Sequence, residues 1–161
     1  MVQKELATLT KMFERNTGFF EKTIEGIPDE KWFAQPGDDS NHLLWIAGHV
    51  VVHRAVVPKI LGVEWSAPWE KLFSRGGKRI AADQYPSVSE IKSAWKEVSQ
   101  KLTAALANAR SDVLEKPSAK GMPSLDGSVG GTVGFLCLHE VYHAGQMGYL
   151  RKWLGFGQVL G

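Results

Sequence analysis

Cysteine is nearly missing from this chain: Cys137 is the one cysteine in 161 residues. No internal disulfide can form, and a reducing, cytoplasmic compartment is the simpler expectation. Charge of one sign is equally scarce, since 19 lysines and arginines face 17 aspartates and glutamates, dispersed along the chain, for a formal net charge of +2. Without a basic stripe to release counterions, a nucleic-acid role is not expected. The opening Met1-Val2-Gln3-Lys4-Glu5-Leu6 has charges where a signal peptide needs an apolar core. The most apolar stretch, Leu43 to Leu61, nearly has the length of a membrane span, but it carries His49, His53, Arg54 and Lys59. The last three are costly in lipid, so it reads as a buried helix and no membrane role is expected. Strand-like alternation, internal repeats, low-complexity tracts and linkers are lacking too, which leaves one all-α domain over residues 1–161, long enough to bury a core without help from a metal.

Apolar positions Val2, Leu6, Leu9, Phe13, Phe20, Ile24 and Ile27 recur at alternating steps of four and three, the stripe of a first helix ended by Gly26 and Pro28. Ser40 or Asn41 offers a cap for a second helix from about His42 to Leu61, hydrophobic nearly all round, with Pro58 in its last turn. Residues Gly62 to Pro86 show no sustained periodicity. Within them Gly76-Gly77-Lys78 lacks the spacing of a phosphate-binding loop. Ser87-Val88-Ser89-Glu90 fits a capping box opening a third helix that runs to about Ala109. Arg110 to Gly131 reads as loop, and Thr132 as the cap of a fourth helix that stops at Gly155. Four helices of about 20 residues make a four-helix bundle, and the 25-residue link between helices two and three permits a crossover.

All five histidines fall in two windows: His42, His49 and His53 in the second helix, His139 and His143 in the fourth. Residues four apart on a helix have Cβ atoms roughly 5–6 Å apart, close enough to share one divalent transition-metal ion. His42 and His53 are about 16 Å apart along the axis, so the three histidines of the first window cannot all reach one ion. His139 and His143 supply two ligands from one turn. His49, mid-helix, is the expected third, with His53 in reserve, giving an open three-histidine site. Free imidazole titrates near pH 6.5, so metal release is expected as pH falls below about 6.5.

His139-Glu140-Val141-Tyr142-His143 also matches the H-E-x-x-H signature of zinc peptidases, in which the glutamate is general base. Those enzymes need a further ligand downstream, and the 18 residues after His143 hold no histidine, aspartate or glutamate. The peptidase reading is therefore the lesser one. Glu140 stays a candidate catalytic group, or a residue solvated or supporting the ligands. Gln146, three after His143, is a second candidate, able to orient a ligand or bound water. Cys137 points about 160° from His139 and reads as a buried, inert thiol. Trp32, Trp45, Trp65, Trp69 and Tyr142 are available to line a pocket or pack in the core.

The set His139-x-x-x-His143-x-Gly145-Gln146, then Leu150-Arg151 and Leu154-Gly155, with Gly48-His49-Val50 in an earlier apolar helix preceded by Pro36-Gly37-Asp38, resembles the DinB/YfiT-like metalloenzyme family. This helix-bundle family is distinct from the DNA polymerase of similar name. The resemblance runs from the first helix to Gly155. It implies a four-helix bundle with a crossover, a homodimer, and nickel or zinc, with manganese or iron as further options, held by His49, His139 and His143. It also implies chemistry on low-molecular-weight thiols. One departure stands out: His53 occupies the place, four after the helix-two histidine, where an acidic residue is often expected. By chemistry alone, an open cation site lowers the pKa of bound water toward about 7 or binds a thiol as thiolate. The expectation is a metal-dependent hydrolase or thiol transferase acting on small molecules, the alternative a non-catalytic metal-binding or stress-related dimer.

Overall fold

The computed structural model describes residues 2–73 and 80–159. The segment Gly76-Gly77-Lys78 lies outside them. Four long helices, α1 (Val2–Ile24), α2 (Leu43–Ile60), α3 (Val88–Ala107) and α5 (Val129–Trp153), and a single turn, α4 (Ser111–Leu114), make the chain all-α. Short 3-10 turns at Asp29–Phe33, Glu70–Phe73 and Ala82–Gln84 punctuate the connections.

Paired contacts set the helix directions. Asn16 donates to the Cys137 carbonyl at 3.4 Å and Arg151 donates to the Thr23 carbonyl at 3.1 Å, so α1 and α5 run parallel. His42 meets the ring of Tyr85 and Arg54 reaches Ser99, so α2 and α3 are parallel as well. His49 faces His143 while Arg54 faces Glu140, which makes α2 and α5 antiparallel. Two parallel helices α2 and α3 cannot be joined by a tight turn, so their relative direction is that of the permitted crossover.

The core follows the apolar stripes. Phe20, Leu43, Val50, Val51, Ile91, Trp95, Val98 and Met147 form its main cluster, with Phe13, Val57, Leu102, Leu106, Val133 and Leu136 as a second towards the other end. Phe20 and Trp95 stack at 3.8 Å between centroids. Trp32 is fully buried and donates to the Ile27 carbonyl at 3.3 Å, which takes it out of any pocket lining. Helix α2, apolar all round, is the one described helix long and apolar enough to cross a bilayer, and 67% of it is buried inside the bundle.

Three local expectations need correction. The cap of α2 is neither Ser40 nor Asn41 but His42, whose Nδ1 accepts from the Trp45 N–H at 3.1 Å. Helix α5 begins three residues before Thr132: Ser128 caps it, accepting from the Gly131 N–H at 2.9 Å. Thr132 is buried in the second turn, sharing a hydrogen bond with Ser118 at 2.8 Å. Gly130, Gly131 and Gly134 disguise this turn as loop, but Gly131 is required by close packing, since a Cβ there would collide with the Asp126 carboxylate. The segment Arg110 to Gly131, read as loop throughout, also contains α4, whose Leu114 is buried in the second cluster. The capping box at Ser87 and Glu90 forms with both halves in place.

Candidate metal centre

Helices α2 and α5 bring four of the five histidines together. His49 Nε2 lies 3.3 Å from His139 Nε2, and His143 Nε2 lies 3.1 Å from that same atom. His53 joins from the turn after His49, its ring 4.2 Å from that of His49 and 4.5 Å from that of His139 between centroids. Nitrogen atoms of His49, His53 and His139 all lie within 4.8 Å of one another, a group able to hold a metal ion. The reserve residue is thus part of the cluster, with His143 attached through His139. His42 is not: it caps α2, its ring against Phe33 and Tyr85.

Proton placement follows from the partners. The Phe73 carbonyl can only accept, so His49 Nδ1, 2.8 Å away, carries the ring proton and leaves a lone pair on Nε2. Gln146 Oε1 accepts from His143 Nδ1 at 2.7 Å with the same result, while Gln146 Nε2 donates to the Tyr142 hydroxyl at 3.1 Å. Two lone pairs therefore point at His139 Nε2, whose single available proton can satisfy only one of them. A cation satisfies all three. In a tetrahedral site with metal–nitrogen bonds of about 2.0–2.1 Å, ligand nitrogens sit about 3.3 Å apart, close to the 3.3 Å and 3.1 Å that separate His139 Nε2 from those of His49 and His143. Histidine ligands commonly donate their other N–H to a carbonyl or amide, as His49 and His143 do. The donor set fits a divalent transition metal.

Burial acts in the same direction. Desolvation holds His53 down at about pH 4 and His139 at about pH 3, with neighbouring imidazoles adding to both. His49 and His143 are also lowered, by burial first, against the opposing hydrogen bonds from Phe73 and Gln146. All four rings stay neutral, the ligating form, below pH 6.5, and those of His53 and His139 well below it. Competition from protons thus begins at more acidic pH than free imidazole suggests.

The sequence around His49 explains how its partner arrives. Gly48 has no Cβ because the Phe73 ring fills that space, and Phe73 is fully buried there. Docking of that ring on α2 delivers the Phe73 carbonyl to His49. Trp45 stacks on the His49 ring at 4.7 Å, and Tyr142 packs edge-on to His143 at 5.0 Å. Trp65 and Trp69 pack partly buried against the main cluster. Phe73 was invisible to motif reading, because a backbone carbonyl in an aperiodic connection has no side-chain signature.

Glu140 proves neither a solvated residue nor a base facing the ligands. It is 3% exposed, and Arg54 grips both its oxygens, Nε to Oε1 and Nη2 to Oε2, each at 2.8 Å. Asn16 donates to Oε2 at 3.2 Å. Arg54, fully buried, also donates to Thr17 and Ser99 at 2.8 Å and lies 3.8 Å over the Trp95 ring. One ion pair thus ties all four long helices together beside the histidines. Cys137 is buried as expected, its thiol pushed up to about 12 by burial and by the Glu140 carboxylate.

None of the curated proteins compared matches the chain. The model of the DinB superfamily matches residues 12–147, which takes in α1 from Met12 onward, the crossover and every histidine of the cluster, and the chain belongs to that superfamily.

Proposed function

We propose that this protein is a metal-dependent enzyme acting on small molecules, a hydrolase or a low-molecular-weight-thiol transferase, with nickel or zinc held by His49, His139 and His143. The observation that carries the reading is the convergence of three Nε2 atoms whose partner Nδ1 protons are pinned outward on His49 and His143. A divalent cation there supplies Lewis acidity, lowering the pKa of a water or thiol placed beside it. Gln146 keeps His143 in its ligating tautomer and orients the exposed Tyr142 hydroxyl, whose own proton remains free for a substrate oxygen or sulfur. Trp45 shields one face of His49 from water. A cytoplasmic setting suits the buried thiol of Cys137.

A homodimer suits the outer face of the α1 and α5 pair. Met12, Leu138, Val141 and Tyr149 are exposed there, beside a groove of about 550 Å³ lined by Phe19, Val141, Ala144 and Gly145. Exposed apolar patches of this kind mark association surfaces. The rival reading, a non-catalytic metal-binding protein, is favoured by His53, which stands where it can complete a closed set of four protein ligands.

Elemental analysis of untagged protein, stripped with chelator and repleted with nickel, zinc, manganese and iron in turn, tests the proposal. One ion per chain is expected, lost in His139→Ala. Sub-stoichiometric binding of all four metals refutes it. Adding a small thiol to cobalt-loaded protein separates the two chemistries: a sulfur-to-metal charge-transfer band supports thiol transfer, and its absence supports hydrolysis. Light scattering reads the dimer.

A further inference from the structure

The geometry points to His53 as a fourth protein ligand whose imidazole sets which metal the centre accepts. This rests on the metal reading above and concerns a residue that reading leaves out. His53 presents a nitrogen within 4.8 Å of those of both His49 and His139. Ligands on opposite sides of one ion are about 4.2 Å apart at metal–nitrogen distances near 2.1 Å, and a small ring rotation about χ2 closes the difference. His53 is half-buried rather than locked in the core, its ring in contact with those of His49 and His139.

The donor group contains no carboxylate. Glu140, beside His139 in sequence, is withheld by the bidentate grip of Arg54. An ion held here meets imidazole nitrogen from the protein and nothing harder. Imidazole suits nickel, copper and zinc, whereas manganese prefers carboxylate and water, and the general affinity order rises from manganese to copper. A carboxylate at position 53 would soften that discrimination; a histidine sharpens it. Four imidazoles also fill a tetrahedral zinc ion but leave two positions on a six-coordinate nickel ion. An active centre with His53 bound therefore favours nickel.

Competition titrations of metal-free full-length protein against a chromophoric chelator, using nickel, zinc and manganese separately, test this. Wild type, His53→Gln, His53→Asp and His139→Ala are compared, with far-UV circular dichroism on each sample. His53→Gln is expected to weaken nickel and zinc by about tenfold or more. His53→Asp is expected to shift the manganese-to-zinc affinity ratio towards manganese by about tenfold. Electron paramagnetic resonance of copper-loaded protein supplies a readout independent of affinity, since His53→Gln should lose one nitrogen from the hyperfine pattern. Unchanged affinities and an unchanged nitrogen count in folded His53→Gln overturn the assignment. Metal binding that survives His139→Ala, or fails in wild type, overturns the underlying centre instead.

Discussion

Glu140→Gln separates two meanings of the same glutamate. In a peptidase-like site the substitution would remove a base and leave the fold untouched. In this structure it removes the negative half of a buried pair, leaving the Arg54 guanidinium at 0% exposure with no counter-charge. Breaking a buried ion pair from one side costs about 3–5 kcal/mol, because the remaining charge stays desolvated. Asn16, Thr17 and Ser99 cannot compensate, being neutral. A domain of this size has roughly 5–15 kcal/mol of stability, so the variant should remain folded with a melting temperature lowered by about 6–20 °C. Arg54→Met alone should cost a similar amount, leaving the carboxylate buried and unpaired. The double variant Arg54→Met/Glu140→Leu should recover most of the loss, since apolar groups of similar volume replace both charges. Urea unfolding of wild type, Glu140→Leu, Arg54→Met and the double variant closes the cycle, with Glu140→Gln and metal affinity measured alongside. A loss below about 1 kcal/mol for Glu140→Gln, or additive losses in the double variant, would refute the ion-pair account.

His49→Ala, His139→Ala and His143→Ala should each abolish tight metal binding. His42→Ala should keep it and lose about 2–4 kcal/mol in thermal unfolding, a helix cap together with the ring packed on Phe33 and Tyr85. Gly48→Ala drives a methyl group into the Phe73 ring; a cost of about 1–3 kcal/mol is expected from overpacking. It should also weaken metal by about 10–100-fold in chelator competition as the carbonyl leaves His49. Metal-free protein should lose stability in acid: all four clustered rings titrate lower when folded than the unfolded 6.5, so the unfolded chain takes up protons first. Their contribution is complete above about pH 6.5 and is lost as pH falls through about 4 for His53 and about 3 for His139, so urea midpoints independent of pH over that window would contradict the neutral-cluster account. Cys137 should ignore a thiol reagent in native protein and react once on unfolding; rapid native labelling would refute its burial.

The long helices were legible because apolar period and capping chemistry act locally. Ser87 and Glu90 announce the start of α3, and the four-three stripe announces α1. The start of α5 was not, because Gly130, Gly131 and Gly134 carry weak helix propensity that tertiary packing overrides. The histidine windows were legible as a cluster able to hold a metal for the same local reason. Their supporting shell was legible only where it lay on the same helix, as with Gln146, and not where it came across the fold, as with the Phe73 carbonyl.

Arg54 and Glu140 show how the missing part could have been read. Each follows a clustered histidine, His53 or His139, by one residue, and one residue turns about 100° around a helix. On two antiparallel helices whose histidines face each other, that step carries both next residues off the ligand face and deeper into the bundle. An arginine and a glutamate so placed are brought to one another, and the polar residues Asn16, Thr17 and Ser99 on the remaining helices meet them there. The pair that looked like a membrane obstacle in one helix and a peptidase base in the other is a single interaction. It sits one layer beneath the histidines, and its bidentate geometry admits one register of α2 against α5, the register in which His53 meets His139.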